Sequence, residues 1–329
     1  MAVLRTDALQ WYEGLLLQPH HFQQNDLRLR ELLNFHISQI SSFHWGIKHY
    51  ELDMAQLVTG RLVFIELEAI MPDGLVISSY AKDGNQIEAD LTIVQDKLSN
   101  RSLMTYLAVP QYIYGAGNAT GELPRWISGG YKKVVDENTG EGEIDIATII
   151  PNVKIFVGEE PGSHFVSFPL FEIKFEDNAY KLTDFTPPIL KVYRDSHIGR
   201  FAHTVCEAIR VKIAYLVEKA GTHKKYDAMR SLEDSLQALT AGLLPFEAVL
   251  NAQASHPFEL YTRLCALAGH ISGLNKQQVP PYFPTYDHNA IEKSFRHVIT
   301  FIEEMLTRVQ EDYYTLKLDK QEHRFEITL

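Results

Sequence analysis

Cysteine is scarce in this chain: Cys206 and Cys265 are the two copies among 329 residues. That excludes a disulfide-stapled fold. Both fall within helical patterns, so they are expected as buried, reduced thiols rather than as a Cys206–Cys265 bridge. Long apolar runs are missing, and no stretch is long enough to span a bilayer. The first residues lack the basic region, apolar core and small-residue cleavage site of a signal peptide, so a cytoplasmic chain is expected. Positive charge is in deficit, with 31 Lys and Arg against 42 Asp and Glu, a formal net charge of -11. Nucleic acid or an anionic membrane surface is therefore not expected as the main ligand, because both reward Lys and Arg, and without a long apolar run direct membrane insertion is not expected either.

Catalytic motifs are missing as well. Gly115, Gly117 and Gly121 have one residue too many for a dinucleotide fingerprint, and no helical pattern follows them. There is no phosphate loop, no Gly-x-Ser-x-Gly elbow and no His-Glu-x-x-His zinc helix. The 14 histidines include His20, His21, His36, His44 and His49 in one region. Their spacing matches no common ligand set, so no metal, cofactor or catalytic residue is expected. A metal-dependent enzyme built on those histidines is the reading that this spacing disfavours. Glu66 and Glu68 share a strand face, which reads as a solvated face before it reads as an acid–base pair.

What is present divides by texture near Thr186, Pro187 and Pro188. Residues 1–190 are mostly strand-like, with one early helix over residues 22–40 that places Leu29, Leu33 and residues 36–40 on one stripe. Residues 60–70 form an apolar run, the segment Met71-Pro72-Asp73-Gly74 turns it, and residues 75–78 return. Residues 103–109, 144–150, 153–157 and 165–175 are further strand candidates. Residues 111–133 are broken by Gly and Pro into loops, and residues 136–142 read as a polar turn. Many short strands between such turns suggest a sandwich or barrel.

From Ser196 onward the period is helical. Val205, Ile209, Ile213 and Leu216 share a face in a first helix. Leu232, Leu236, Leu239, Leu243 and Phe246 mark a second, with Gly242 and Pro245 as points of interruption. Pro257 opens a third, and a fourth covers residues 289–310 with Asp287 as N-cap. In the fourth, Phe295, Ile299, Ile302, Leu306 and Val309 follow an a/d heptad spacing. Two readings fit this stripe: an amphipathic helix packed in its own chain, or a seam between helices of different chains. Residues 313–329 alternate as a hairpin with residues 319–322 at its tip.

The start of the chain carries a specific signature. An apolar run, Trp11-Tyr12-Glu13-Gly14-Leu15-Leu16-Leu17-Gln18, meets Pro19-His20-His21-Phe22-Gln23-Gln24. Pro19 suits a first helical turn, but no folding rule demands the amides and aromatic that follow. Further on come Pro72-Asp73-Gly74, an apolar strand ending in Pro110, His256-Pro257 with Leu260-Tyr261, and Pro281-Tyr282 before Asp287-His288. Together and in this order they resemble TssK (also ImpJ or VasE), a baseplate family of the bacterial type VI secretion system.

The resemblance implies an α+β, multi-domain chain. Residues 1–190 would be a β-sandwich shoulder like the shell of phage receptor-binding proteins. Residues 191–312 would form an α-helical bundle neck, and residues 313–329 the start of a head otherwise missing here. It implies a cytoplasmic, non-catalytic adaptor at the inner face of the inner membrane, working as a homotrimer. The shoulder would bind TssG and TssF, and the head would bind the TssJ–TssL–TssM membrane complex. Under it, Phe295, Ile299, Ile302, Leu306 and Val309 become the trimer neck. Trp11, Phe22 and Trp126 become candidates for wedge binding, since Trp and its like anchor interfaces. A shell-like ligand- or carbohydrate-binding module is the alternative, which exposed aromatics on a concave face would mark.

Overall fold

Pro19 opens α1 (Pro19–Ile40), where its missing N–H is no loss. The ring of His21 accepts the backbone N–H of Gln18 at 3.0 Å, closing the helix start from the side chain. This gives the second histidine of the signature a structural task. Leu27 and Glu31 are buried on one face of α1, while Phe22, Leu29, Leu33 and Ile40 are exposed on the other. The computed structural model describes residues 4–222, 226–274, 279–308, 318–321 and 324–327.

Two four-stranded sheets follow. β1 (Gly46–Leu52) leads through the short α2 (Met54–Val58) to β2 (Arg61–Ile70) and β3 (Val76–Tyr80). Asp53 caps α2 by accepting the N–H groups of Ala55 and Gln56. Strand order is β1-β2-β3, and β4 (Glu88–Asp90) pairs with the start of β2. After α3 (Gln95–Leu98) comes β5 (Leu103–Pro110), then a ribbon of β6 (Trp126–Val134) and β7 (Ile144–Pro151). β8 (Lys154–Val157), β9 (Phe165–Glu176) and β10 (Ala179–Leu182) complete the second sheet in the order β10-β9-β5-β8. All these named pairings are antiparallel.

Alternation places one face of each sheet in a common core. Leu62, Phe64, Leu67 and Ile77 come from the first sheet; Leu107, Phe168, Leu170 and Ile173 come from the second. The β5–β9 register slips between Met104 and Tyr106. There the buried Thr105 hydroxyl accepts the Phe171 N–H at 3.1 Å and donates to the Phe171 carbonyl at 2.9 Å, so the bulge leaves no orphan. Gly46 has φ +129°, and a Cβ there would lie 2.8 Å from the Pro188 carbonyl oxygen. Only glycine lets β1 approach this returning segment, where Ile47 bridges Ile189 in parallel.

Contacts group the chain into two units. The first comprises Met1–Val192 together with His256–Phe258 and Asp287–Glu292. The second comprises Tyr193–Ser255, Glu259–Tyr286 and Lys293–Leu329. Its helices are α4 (His197–Thr222), α5 (Tyr226–Asn251), α6 (Pro257–Ser272) and α7 (Ile291–Arg308). α5 runs through Pro245 rather than stopping at it. Arg210 of α4 pairs with Glu247 of α5. Gly242 of α5 meets Leu267 of α6, where a Cβ would come within 2.9 Å of that side chain. Tyr261 of α6 packs on Phe295 of α7 at 5.7 Å, and Arg296 of α7 lies over Phe201 of α4. Each helix thus touches the next, and the last returns to the first.

Three expectations change. The stretch read as loops over residues 111–133 ends in strand β6, because the Gly129-Gly130 pair that suggested a loop accommodates a register shift in the ribbon instead. α7 begins at Ile291, and Asp287 closes a turn ahead of it by accepting the Asn289 N–H at 2.9 Å. Near the end, β11 (Leu318–Gln321) pairs with β12 (Arg324–Ile327), so Asp319, Lys320 and Gln321 lie in a strand, not at a tip. Both cysteines are free thiols, Cys206 buried and Cys265 half-buried.

Candidate interaction surface

The signature residues of the first unit converge on α1. The Asp73 carboxylate holds the Arg125 guanidinium at 2.7 Å, and that buried guanidinium also donates to the Pro110 carbonyl at 2.6 Å. Asn34 of α1 donates to the Asp73 carbonyl at 3.0 Å, and its own side-chain oxygen lies 3.2 Å from His44 Nε2. The Pro-Asp-Gly turn and the strand-ending proline therefore meet one arginine next to α1. Arg125 went unnoticed in the sequence; a lone arginine in a Pro- and Gly-rich stretch is its only signal.

One helical turn back, Glu31 fastens the N-terminal segment. Its carboxylate accepts the N–H groups of Arg5 at 3.0 Å and Thr6 at 2.8 Å, and the Tyr114 hydroxyl at 2.5 Å. Burial pushes its pKa up, but these three donors together pull it below the usual carboxylate value. Burial and the Glu31 carboxylate push the Tyr114 phenol up to about 12. Arg28 donates to the Thr6 carbonyl at 2.6 Å, and Arg5 stacks over the Tyr114 ring. Nothing in the sequence signalled Glu31, because the stripe read in this helix ran through Leu29 and Leu33, while the structure buries Leu27 and Glu31.

The wedge-binding candidates lie along the same helix. Trp11 is 52% exposed and packs on His21 at 6.2 Å; Phe22 is 60% exposed. Trp126 is half-buried at the start of β6, with Arg30 of α1 over its ring at 5.8 Å. Trp45 packs on Phe168 of the core. A second convergence joins the later signature residues. The buried His288 donates from Nε2 to the Trp45 carbonyl at 2.8 Å and stacks with His256 at 5.2 Å, beside Phe43.

The neck stripe is placed differently from the expectation. Phe295, Ile299, Ile302 and Leu306 are all buried within the single chain, Ile302 completely. They are core of the second unit, in contact with their own chain. Val309 lies outside the described residues. The 4-3 spacing reported an apolar stripe correctly, but spacing does not reveal whether the cover comes from the same chain.

Among the described residues no three His, Cys, Asp or Glu side chains come together as metal ligands. His49 approaches Glu66 at 3.6 Å, while Glu68 is held by Lys48 and Tyr80, whose hydrogen bonds lower its pKa. An open depression on α5, lined by Leu236, Gln237, Thr240, Ala241, Leu244 and Pro245, contains no charged side chain. No described helix is long and apolar enough to cross a membrane.

With this geometry in place, comparison with known proteins is decisive. The profile of the family described as "Bacterial Type VI secretion, VC_A0110, EvfL, ImpJ, VasE" matches residues 21–328. The chain belongs to this family. The type VI secretion system baseplate component TssK1 of Pseudomonas aeruginosa (strain PAO1) is 26% identical over 317 residues, 91% of this chain and 68% of that protein. A crystal structure of TssK superposes with TM-score 0.84 at 20% identity, covering 97% of this chain and 73% of the other. A chain of a TssK–TssF–TssG baseplate subcomplex superposes with TM-score 0.80 at 21% identity, covering 92% and 99%. The mixed helix-and-sheet fold of the VasE family is thus the fold of this chain.

Proposed function

We propose that this protein is a baseplate adaptor of the type VI secretion system, acting as a homotrimer without catalytic activity. The observation that carries the reading is the family match over residues 21–328, joined to the fold shared with a chain of a TssK–TssF–TssG subcomplex. In this reading the first unit is a sandwich-like shoulder and α4–α7 are a bundle-like neck. The shoulder grips TssG and TssF with Trp11, Phe22 and the Trp126 region of α1 and β6. The neck carries the link towards a head whose beginning is residues 313–329, and the head meets the TssJ–TssL–TssM membrane complex. The adaptor works in the cytoplasm at the inner face of the inner membrane, without inserting into it.

Co-purification with the cognate TssF–TssG pair tests this directly. The unaltered chain is expected to bring down both subunits, and a Trp11→Ala/Phe22→Ala variant to retain them weakly, since truncating a hot-spot aromatic at an interface costs about 2 kcal/mol or more. Failure of the unaltered chain to bind either subunit overturns the proposal.

A further inference from the structure

Residues 4–18 form neither helix nor strand, yet they are pinned at both ends. At one end, a single turn of α1 grips Thr6 twice: the Glu31 carboxylate accepts its N–H at 2.8 Å, and Arg28 donates to its carbonyl at 2.6 Å. The Arg5 N–H reaches the same carboxylate oxygen at 3.0 Å. At the other end, the His21 ring accepts the Gln18 N–H. Between these ties, among the described residues, the stretch makes one hydrogen bond, from the Leu15 N–H to the Tyr12 carbonyl at 3.2 Å. Trp11, Tyr12, Leu16 and Leu17 on it are each more than half exposed. The segment is a strap whose course depends on its two ties.

We infer that Glu31 is the latch of this strap, and a positioning residue for the TssF–TssG contact proposed above for Trp11. The inference rests on that proposal and names what holds the anchor in place. The Gln18 tie belongs to the start of α1 and stands as long as the helix does. The Glu31 tie gathers two separate stretches on one carboxylate, with Arg5 and Thr6 on Oε2 and the Tyr114 hydroxyl on Oε1. Tyr114 engages the second oxygen and so aims the first at the strap, while the Arg5 guanidinium lies over the Tyr114 ring. Bonds to an ionised acceptor are the strong ones, so this carboxylate outweighs a neutral side chain in the same place. A free arm loses conformational freedom residue by residue when it docks. A strap already fixed at both ends has less to lose, and it binds more tightly with the same side chains. Glu31 itself is buried, so it acts by where it holds Trp11. With the latch undone, the strap pivots on Gln18.

Hydrogen exchange of the full chain and its affinity for TssF–TssG, unaltered and as Glu31→Ala and Glu31→Gln, test the latch. Glu31→Ala is expected to speed exchange in peptides over residues 4–11 and to weaken TssF–TssG binding, each by about tenfold or more, with exchange over β5 and β9 unchanged. Glu31→Gln keeps an acceptor without the charge and should fall between. A double-mutant cycle separates positioning from a general structural role: most of the affinity loss from Glu31→Ala should vanish in a Trp11→Ala background. Unchanged exchange over residues 4–11 overturns the latch. Faster exchange there with unchanged affinity overturns the positioning role, and so does a loss of equal size in the Trp11→Ala background. If exchange in Glu31→Ala spreads into β5 and β9, Tyr114→Phe, which removes one donor and little bulk, carries the same cycle. An unaltered chain that does not bind TssF–TssG overturns the proposed function, and the positioning role with it.

Discussion

His288 shows how a signature residue acts through its surroundings. Its imidazole is 2% exposed, so burial pushes its pKa down from 6.5 to about 4, against the hydrogen bond to the Trp45 carbonyl. His256 opposes the charged form and Asp287 favours it. The sign follows from proton counting: between pH 6.5 and 4 the unfolded chain binds a proton here that the folded chain does not. Stability from this group is complete above pH 6.5 and declines as pH falls towards 4, by about 3 kcal/mol in all. Urea midpoints at steps from pH 7 to 4 should fall more steeply for the unaltered chain than for His288→Gln, which starts lower because the imidazole packing is lost. Parallel slopes would assign the acid sensitivity elsewhere. The sequence displayed His256 and His288 as parts of separate motifs 32 positions apart. It held no sign that both rings would stack on one another beneath Phe43, since pairing of distant residues is a property of the fold and not of local spacing.

At the scale of elements, periodicity revealed where apolar stripes lie and was silent about what covers them. α4, α5, α6 and α7 follow their 3.6-residue pattern closely, and the strands on either side of Pro72-Asp73-Gly74 follow theirs, whereas in α1 the stripe of Leu29, Leu33 and Ile40 is exposed and Leu27 and Glu31 are buried instead. The β6 strand was hidden because Gly129 and Gly130 carry no side chain to alternate, and because its ribbon faces solvent on most of its residues, so no buried set marks it. The α7 stripe was legible and its partner was not. Its cover is intrachain: Tyr261 packs on Phe295, and Ile299, Ile302 and Leu306 are buried in the single chain. Ile302→Ala should therefore lower the stability of the helical unit by about 2–4 kcal/mol through the cavity it leaves, at any protein concentration. An interface residue would behave differently, with a loss that disappears on dilution, where the copies come apart, and grows as concentration rises. Thermal melts of Ile302→Ala over a hundredfold range of concentration separate the two, and a concentration-dependent deficit would return this stripe to the subunit interface.

For the whole molecule, the two units do not correspond to two lengths of sequence. The first unit is finished by His256–Phe258 and Asp287–Glu292, which arrive after the chain has entered the second. The starts of α6 and α7 thus bring Phe258, His256 and His288 onto Phe43 and Trp45. A cut after Val192 removes all three rings. It strips the Trp45 carbonyl of its donor and opens Phe43 and one edge of Trp45 to water. A lost buried hydrogen bond costs about 1–3 kcal/mol, and uncovering aromatic surface adds to that at about 25 cal/mol per Å². A fragment of residues 1–192 is thus expected to fold less stably than the same residues within the full chain. With Trp11 and Trp126 replaced by Phe in both proteins, Trp45 emission should lie further to the red in the fragment. Equal melting temperature and equal emission would mean that the sheets complete themselves, and the His-Pro and Asp-His motifs would then be free to serve a partner instead.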